Sequence, residues 1–577
     1  MKPVRLPAAA TNALPRWGLF ALCLLYILPG LVGRAPWKED AAGFGIMWTM
    51  ANGTLDDWLW PHVAGLPMPE QGPLAYWAGA LCIKLFGWLL GDVLAARVST
   101  IAFFLLGSLS VWYATYLLGR RPDAQPLKLA FGGQPEPRDY GRTLADGALL
   151  IYLGSLGVLI HSHLTMPGSL QIALVAYSLY AAVRLSEAGT LRAAAMLGLG
   201  LGALVLARGW TTPVAIFVGL AILARLTDRR VLLRMVAVSL PVALAITLAW
   251  TVTCGMLRPF NSSPYDAWMG WNLRQLGLPS FGAIGYALKA GLWMSWPAWP
   301  FAAWAIYAWR RQDRPLHIAG PLAFLVPAML LVLIHPSPDE SLLLPWLPPL
   351  AILAAFGLPT MKRGAINAVD WYSVMTLTAV AVYIWLAWFV VQTGWPKSVA
   401  PNALKLVPGF RPEFHLLPFL VAAAASVGWI LLVHWRISRR PSVLWRAVVL
   451  SSGGVILCWL LLMTLAVHWI DYRRNYAAVA RQVSAHIPAT AQCVDSNVGP
   501  AQRGSFAYYG KVPFARFDNR RCDYFLQQIS LPRKGDRRQQ PQERPPAALA
   551  GGRWELLWEG GRAADRDERY RLYRRLP

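Results

Sequence analysis

Hydrophobic positions along this chain neither alternate nor follow one amphipathic stripe. They come in long blocks, separated by short polar or proline-containing breaks. A membrane-spanning helix needs about 20 mostly apolar residues. Blocks of that kind recur about thirteen times, near 17–33, 95–118, 144–160, 168–184, 193–207, 212–225, 233–254, 286–309, 316–334, 341–358, 371–392, 414–434 and 444–469. Several contain Gly or Pro, which membrane helices tolerate. The stretch 73–91 is apolar as well, but counting it as a span would move every later Arg-rich loop to the other side of the membrane. It reads instead as an amphipathic helix lying in the interface, anchored by its Trp and Tyr side chains. Residues 1–470 are therefore expected to form an all-α polytopic membrane module, with a first external loop, 34–94, carrying interfacial helices.

From residue 471 the blocks stop. Residues 473–486 read as a helix; AQCVD, SFAYYG and PFARF read as short strands; RWELLWEG and RYRLYRR read as a closing hairpin. Between them, 532–547 is a Pro/Gln/Arg-rich loop. The pattern predicts a small α/β domain over 471–577.

Composition removes the alternative of a multidomain soluble protein. A 577-residue chain would otherwise suggest about four soluble domains. Its residues are 56% hydrophobic and only 14% charged, and a soluble chain of this size cannot bury so much apolar surface. The net charge of +25 is then a question of location. Loops on the N-terminal side of the membrane carry roughly 23 basic residues and those on the other side, before 470, roughly 11. The positive-inside bias puts the N-terminus in the cytoplasm, and an odd number of spans puts the tail outside. The tail is itself basic, but long domains translocate largely regardless of charge. The excess is loop charge facing an anionic leaflet, not a nucleic-acid footprint.

The candidate chemistry is acidic and external. Glu39 and Asp40 follow the first span, and Glu70 precedes the interfacial helix. Carboxylates so placed can hold a divalent cation or act as a general base, or can be solvated loop charge. Of six cysteines, Cys23, Cys82, Cys254 and Cys458 fall in or beside apolar segments. Cys493 and Cys522 lie in the tail, where an oxidising compartment lets them pair; the alternative is two free thiols. No CxxC or HExxH cluster, Walker loop or GxGxxG is present.

Residues 37–77, WKEDAAGFGIMWTMANGTLDDWLWPHVAGLPMPEQGPLAYW, resemble the opening loop of the GT-C polyprenyl-phosphate glycosyltransferases. That superfamily includes the lipid A aminoarabinose transferase and, more distantly, the protein O-mannosyltransferases. Glu39–Asp40 matches its acidic pair. Asp57, Trp58, Pro61 and Gly65 match its G-D-W-x-x-P-x-x-x-G stretch. Glu70, Pro73, Leu74, Tyr76 and Trp77 match its E-K-P-P-L-x-Y-W motif. GLGALVLARG (200–209), with Arg208 at the basic position, and SLLLPWLPPLAILAA (341–355) are similar to two further segments. The departures are equally specific. Gln71 and Gly72 replace the Lys-Pro of the third motif. The T-P-D-M-P-like segment reads HSHLTMPGSLQ (161–171), without a carboxylate. The segment HPSPDE (335–340) carries acids where the superfamily has a basic residue.

The resemblance implies an inner-membrane enzyme of bacteria that moves a sugar from a polyprenyl-phosphate donor to a lipid or protein acceptor at the periplasmic face. It implies Asp40, with Glu39 and Glu70, in the catalytic role. A divalent cation between Asp40 and Glu70 is the one cofactor compatible with those side chains. The donor phosphate would be received by Arg208, Arg258, Arg274 and Lys289. Trp58, Tyr76, Tyr265, Asp266 and His163 would line the substrate. Membrane lipids are the only other partner implied, and the chain is expected to be a monomer. A lipid-linked sugar transporter and a catalytically silent relative remain open readings. A transporter should show inverted repeats and mid-span charges, and the sequence shows neither.

Overall fold

The structure is a computed structural model describing residues 4–11, 14–128, 132–258, 260, 263–312, 314–439, 443–516, 522–530, 553–565 and 568–576. The Pro/Gln/Arg-rich stretch 532–547 lies outside the described residues. Every hydrophobic block is helical. Among the described residues, eight helices are long and apolar enough to cross a membrane, and four shorter apolar ones accompany them: Arg16–Ile27, Leu74–Leu90, Leu191–Ala207 and Thr211–Thr227.

The helices sort by depth. Residues Glu340–Thr360 form the centre, 94% buried, whereas Gly364–Thr393 and Leu416–Arg436 are only 11% buried and present apolar side chains to their surroundings. With no difference in polarity between lipid and a leucine side chain, such helices associate through close packing of small residues. Gly198 and Gly219 show the effect. Each sits directly on a neighbouring helix backbone, at Ser239 and Ala323 respectively, with no room for a Cβ.

Basic loops collect at one face. Arg120, Arg121 and Arg184 surround Glu187 there, and Asp123 accepts from the Leu316 amide at 3.2 Å and pairs with Arg121 at 3.1 Å. The opposite face carries the first loop and the tail. In the first loop, Ala41–Asn52 forms a helix with eight of its first ten residues, from Ala41 to Met50, buried, the exceptions being Trp48 and Thr49. Strands β1 (His62–Val63) and β2 (Leu66–Pro67) form a minimal hairpin. Leu74–Leu90 packs its Ala75, Tyr76, Gly79, Ala80 and Ile83 inward and leaves Leu81, Leu85, Trp88 and Leu89 exposed.

The tail is an α/β unit. Its four-stranded sheet has the order β3 (Val494–Ser496), β4 (Tyr524–Ser530), β6 (Glu568–Arg575), β5 (Trp554–Gly560), with β3 and β4 parallel and the other pairs antiparallel. β5 and β6 make the expected hairpin, while β4 (YFLQQIS) is a strand that the sequence reading did not mark. SFAYYG corrects a prediction. It is not a strand but the second half of the helix Pro500–Tyr509. Pro500 at the first position presets the helical φ, and Arg503, Phe506 and Ala507 fall on one face at helical spacing, where burial against Ala41–Asn52 and the tail core overrides the β preference of Phe and Tyr. Cys493 and Cys522 are joined by a disulfide.

The tail core closes on Phe506, which is fully buried and meets Tyr570 edge-on at 5.3 Å. Phe506→Ala is expected to cost roughly 3–5 kcal/mol of tail stability, read as an earlier unfolding transition of the full chain in near-UV circular dichroism.

Candidate functional site

Asp40 is the N-terminal flank of the helix Ala41–Asn52, and it has no exposed surface. Arg34 approaches it with both ends of its guanidinium, at 3.2 and 3.0 Å, and the Trp37 amide donates to it at 2.7 Å. Arg97 stands 3.8 Å away and donates from its two terminal nitrogens to the Leu31, Arg34 and Ala35 carbonyls, at 2.7, 2.9 and 3.1 Å. A charge enclosed in protein must be paired and hydrogen-bonded, and here two arginines and one carboxylate complete one another. The cluster also grips the segment 161–166. Arg34 donates to the His163 carbonyl at 2.7 Å, and the Thr165 hydroxyl donates to the Asp40 carbonyl at 3.2 Å.

The other predicted side chains divide into two groups. Glu39 is on the surface, paired with Arg474 at 2.9 Å. Glu70 is half-buried in the loop before Leu74–Leu90, beside the Tyr76 hydroxyl, which lies within electrostatic reach of both Glu70 and Arg208. That loop touches the end of Leu191–Ala207: the Gly72 amide donates to the Ala207 carbonyl at 3.2 Å, and Gly72 lies so close to the Leu206–Ala207 backbone that no Cβ fits. The glycine that departs from the family motif is therefore what lets the Glu70 loop pack on the backbone just before Arg208.

Arg208 donates to Asp339 at 2.6 Å and lies over the Trp271 ring at 5.6 Å. The second oxygen of Asp339 receives the Ser341 hydroxyl at 2.5 Å and the Leu342 amide. Burial alone would raise the Asp339 pKa, but Arg208 and these donors outweigh it and hold the carboxyl below its usual range. Next in the chain, Glu340 comes within 4.0 Å of His161 Nε2. His161 Nδ1 donates to the Gly157 carbonyl at 3.0 Å, which leaves the Nε2 lone pair of the neutral ring directed at the site. Glu70, Tyr76, Arg208, Asp339, Glu340 and His161 thus converge at the tail face.

His163, expected to line substrate, is enclosed instead. Both ring nitrogens face main-chain carbonyls, of Leu159 at 2.6 Å and Tyr26 at 2.9 Å, and the ring packs on Trp459. Arg258, Arg274, Lys289 and Asp266 are exposed, and no ion pair ties them to the Arg208 group among the described residues. Tyr265 packs edge-on against Trp60, and the Trp58 ring is covered by Lys84 at 5.7 Å. A divalent cation between Asp40 and Glu70 does not fit these side chains. The Asp40 oxygens are taken by Arg34 and Trp37, and among the described residues no three His, Cys, Asp or Glu side chains converge as ligands.

One further pair escaped the sequence reading. Asp57 and His62 are both buried, with Nε2 2.8 Å from the carboxylate. The Gly65 amide donates to Nδ1 at 3.0 Å, so the Nε2 proton is the one donated to Asp57. Burial pushes the Asp57 pKa up, but His62, the Thr54 amide and Arg516 overcome it and bring it down to about 2. The adjacent Pro61–His62 in the D-D-W-L-W-P-H string was the available signal.

No protein-family model matches the sequence, and no curated protein matches it. Solved structures do. ArnT from Cupriavidus metallidurans bound to undecaprenyl phosphate superposes with a TM-score of 0.63 at 14% identity, covering 96% of this chain and 97% of that one. The apo state of the same protein gives 0.60 at 15% identity over the same shares. The chain has the ArnT-like GT-C fold over nearly its whole length.

Two outcomes test the electrostatics. Asp40→Asn strands two buried guanidinium groups and is expected to cost roughly 3–5 kcal/mol, measured by thermal denaturation in detergent. The Asp57 pair contributes fully above the unfolded-state carboxyl pKa near 4 and is lost as pH falls toward 2; about 2 kcal/mol of stability should disappear in that window, and Asp57→Asn should flatten it.

Proposed function

We propose that this chain is an integral-membrane glycosyltransferase that moves a sugar from a polyprenyl-phosphate donor to an acceptor at the tail face. The observation that carries this reading is the convergence of Arg208, Glu70 and His161 at one face of an ArnT-like fold, a fold also seen holding undecaprenyl phosphate in ArnT itself. The gathering of basic loops at the other face supports a cytoplasmic N-terminus and a periplasmic tail.

Arg208 receives the donor phosphate. Asp339 holds that guanidinium at 2.6 Å, so the phosphate must take its place, exchanging one charge-assisted pair for another. The acceptor oxygen attacks the anomeric carbon. The bond from that carbon to the phosphate oxygen breaks, and polyprenyl phosphate leaves with the electron pair. Negative charge grows on the leaving phosphate, where Arg208 neutralises it. An acceptor hydroxyl must also lose its proton; Glu70 and the His161 Nε2 lone pair are the bases at hand. An acceptor phosphate requires no base. In this scheme Asp40 is a positioning residue. It acts through Arg34 and Thr165, which fix the segment bearing His161.

The test is transfer from a labelled polyprenyl-phosphate sugar to lipid acceptors by the purified full chain. Arg208→Ala should lower kcat/KM by about 10²–10³-fold. Asp339→Asn should instead tighten donor binding, by about tenfold, because the competing carboxylate is gone. Undiminished transfer by Arg208→Ala would remove the centre of the scheme.

A further inference from the structure

A second polar cleft lies apart from the Arg208 group, between the first loop and the tail. Its volume is about 630 Å³, within the roughly 300–1,000 Å³ of small-molecule sites. Trp48 and Asn52 line it from the helix Ala41–Asn52, His62 from the β1–β2 hairpin, and Gln492, Lys511 and Arg516 from the tail.

The walls are built to stay in place. Arg503, buried in the tail helix, donates to the Ala64 carbonyl on one wall at 3.0 Å and to the Ala515 carbonyl on the other at 2.7 Å. Gly65 lies so close to Ala515 and Arg516 that a Cβ there would collide with their backbone. His62 is fixed by Asp57 and Gly65. Two lining residues, Ala64 at φ 46° and Lys511 at φ 50°, hold left-handed backbone conformations, which side-chain-bearing residues rarely adopt. Such conformations persist where the surrounding structure over-determines them, and they concentrate at ligand sites.

The charge is one-sided. Lys511 has no carboxylate within 4.0 Å among the described residues; its ammonium sits over the Trp48 and Tyr508 rings, at 4.9 and 5.3 Å. Arg516 is half-exposed and only 4.0 Å from Asp57, whose carboxylate has no exposed surface. Among the described residues, no carboxylate lines the cleft. An indole face, two side-chain amides and two cations suit one chemical class: a sugar ring bearing an anionic substituent. The ring can stack on Trp48, the amides of Asn52 and Gln492 can bond its hydroxyls, and Lys511 and Arg516 can take the anion.

We infer that this cleft binds an anionic saccharide, through Trp48, Lys511 and Arg516. The inference does not depend on the transfer reaction, because none of its residues belongs to the Arg208 group. The experiment uses the full chain in nanodiscs of zwitterionic lipid, with saturation-transfer NMR and titration of glucose 6-phosphate, glucuronate, glucose and inorganic phosphate. Glucose 6-phosphate, glucuronate or both should bind at least about tenfold more tightly than glucose or phosphate alone. Lys511→Gln and Arg516→Gln should each weaken that binding about tenfold, with unchanged thermal unfolding, and Arg208→Ala should leave it unaltered. Equal binding of glucose, absence of binding to the native chain, or full binding by the Lys511→Gln/Arg516→Gln double variant would overturn the inference. Loss of binding in Arg208→Ala would also overturn it, by moving the saccharide to the other site.

Discussion

The ion cluster of Asp40, Arg34 and Arg97 is the constraint on which the tail face depends. Without water, each of its charges would be costly to bury alone. Together they are paired, and the geometry that pairs them fixes four separate pieces of chain. Arg34 ends the turn after the first helix, Asp40 begins the helix Ala41–Asn52, Arg97 belongs to Asp92–Arg120, and the His163 carbonyl lies ahead of Pro167–Ala188. The rigid end of the first loop is thereby registered against the segment that carries His161.

A second layer of contacts carries that register to the Arg208 group. Gly72 brings the Glu70 loop onto the end of Leu191–Ala207, and Asp339 ties Arg208 to the short turn before the central helix. Each contact joins a loop to a helix end, so Glu70 and Arg208 sit on strongly held backbone. The departures from the family motifs belong together in this light. A segment without a carboxylate, 161–171, lies against one that has gained two, at Asp339 and Glu340.

Much of the fold was legible because lipid imposes a simple rule: an uninterrupted apolar block becomes a helix. Charge asymmetry then separated the two faces. The tail was harder to read. Ser505–Tyr509 carries β-prone side chains, yet its helix is set by Pro500 and by a face buried against the helix Ala41–Asn52, far earlier in the chain, which local propensity does not register. The site was only half legible. Acidic residues at 39, 40 and 70 stood out, but nothing local separates Asp40, sealed by two arginines, from Glu70, which faces the site. Likewise His161 and His163 are two residues apart and both buried, and only the helix end between them decides which Nε2 meets a carbonyl and which turns toward Glu340.

The links between the first loop and the tail have a bearing on biogenesis. Asp471 accepts from the Ala35 amide and the Trp37 indole, and Arg474 pairs with Glu39, across more than 430 residues of sequence. The first loop leaves the ribosome more than 430 residues before these partners are made. Until then the loop lacks both these pairs and its partner helix Pro500–Tyr509. A product truncated before these partners would leave Ala35, Trp37 and Glu39 without them and the buried face of Ala41–Asn52 uncovered.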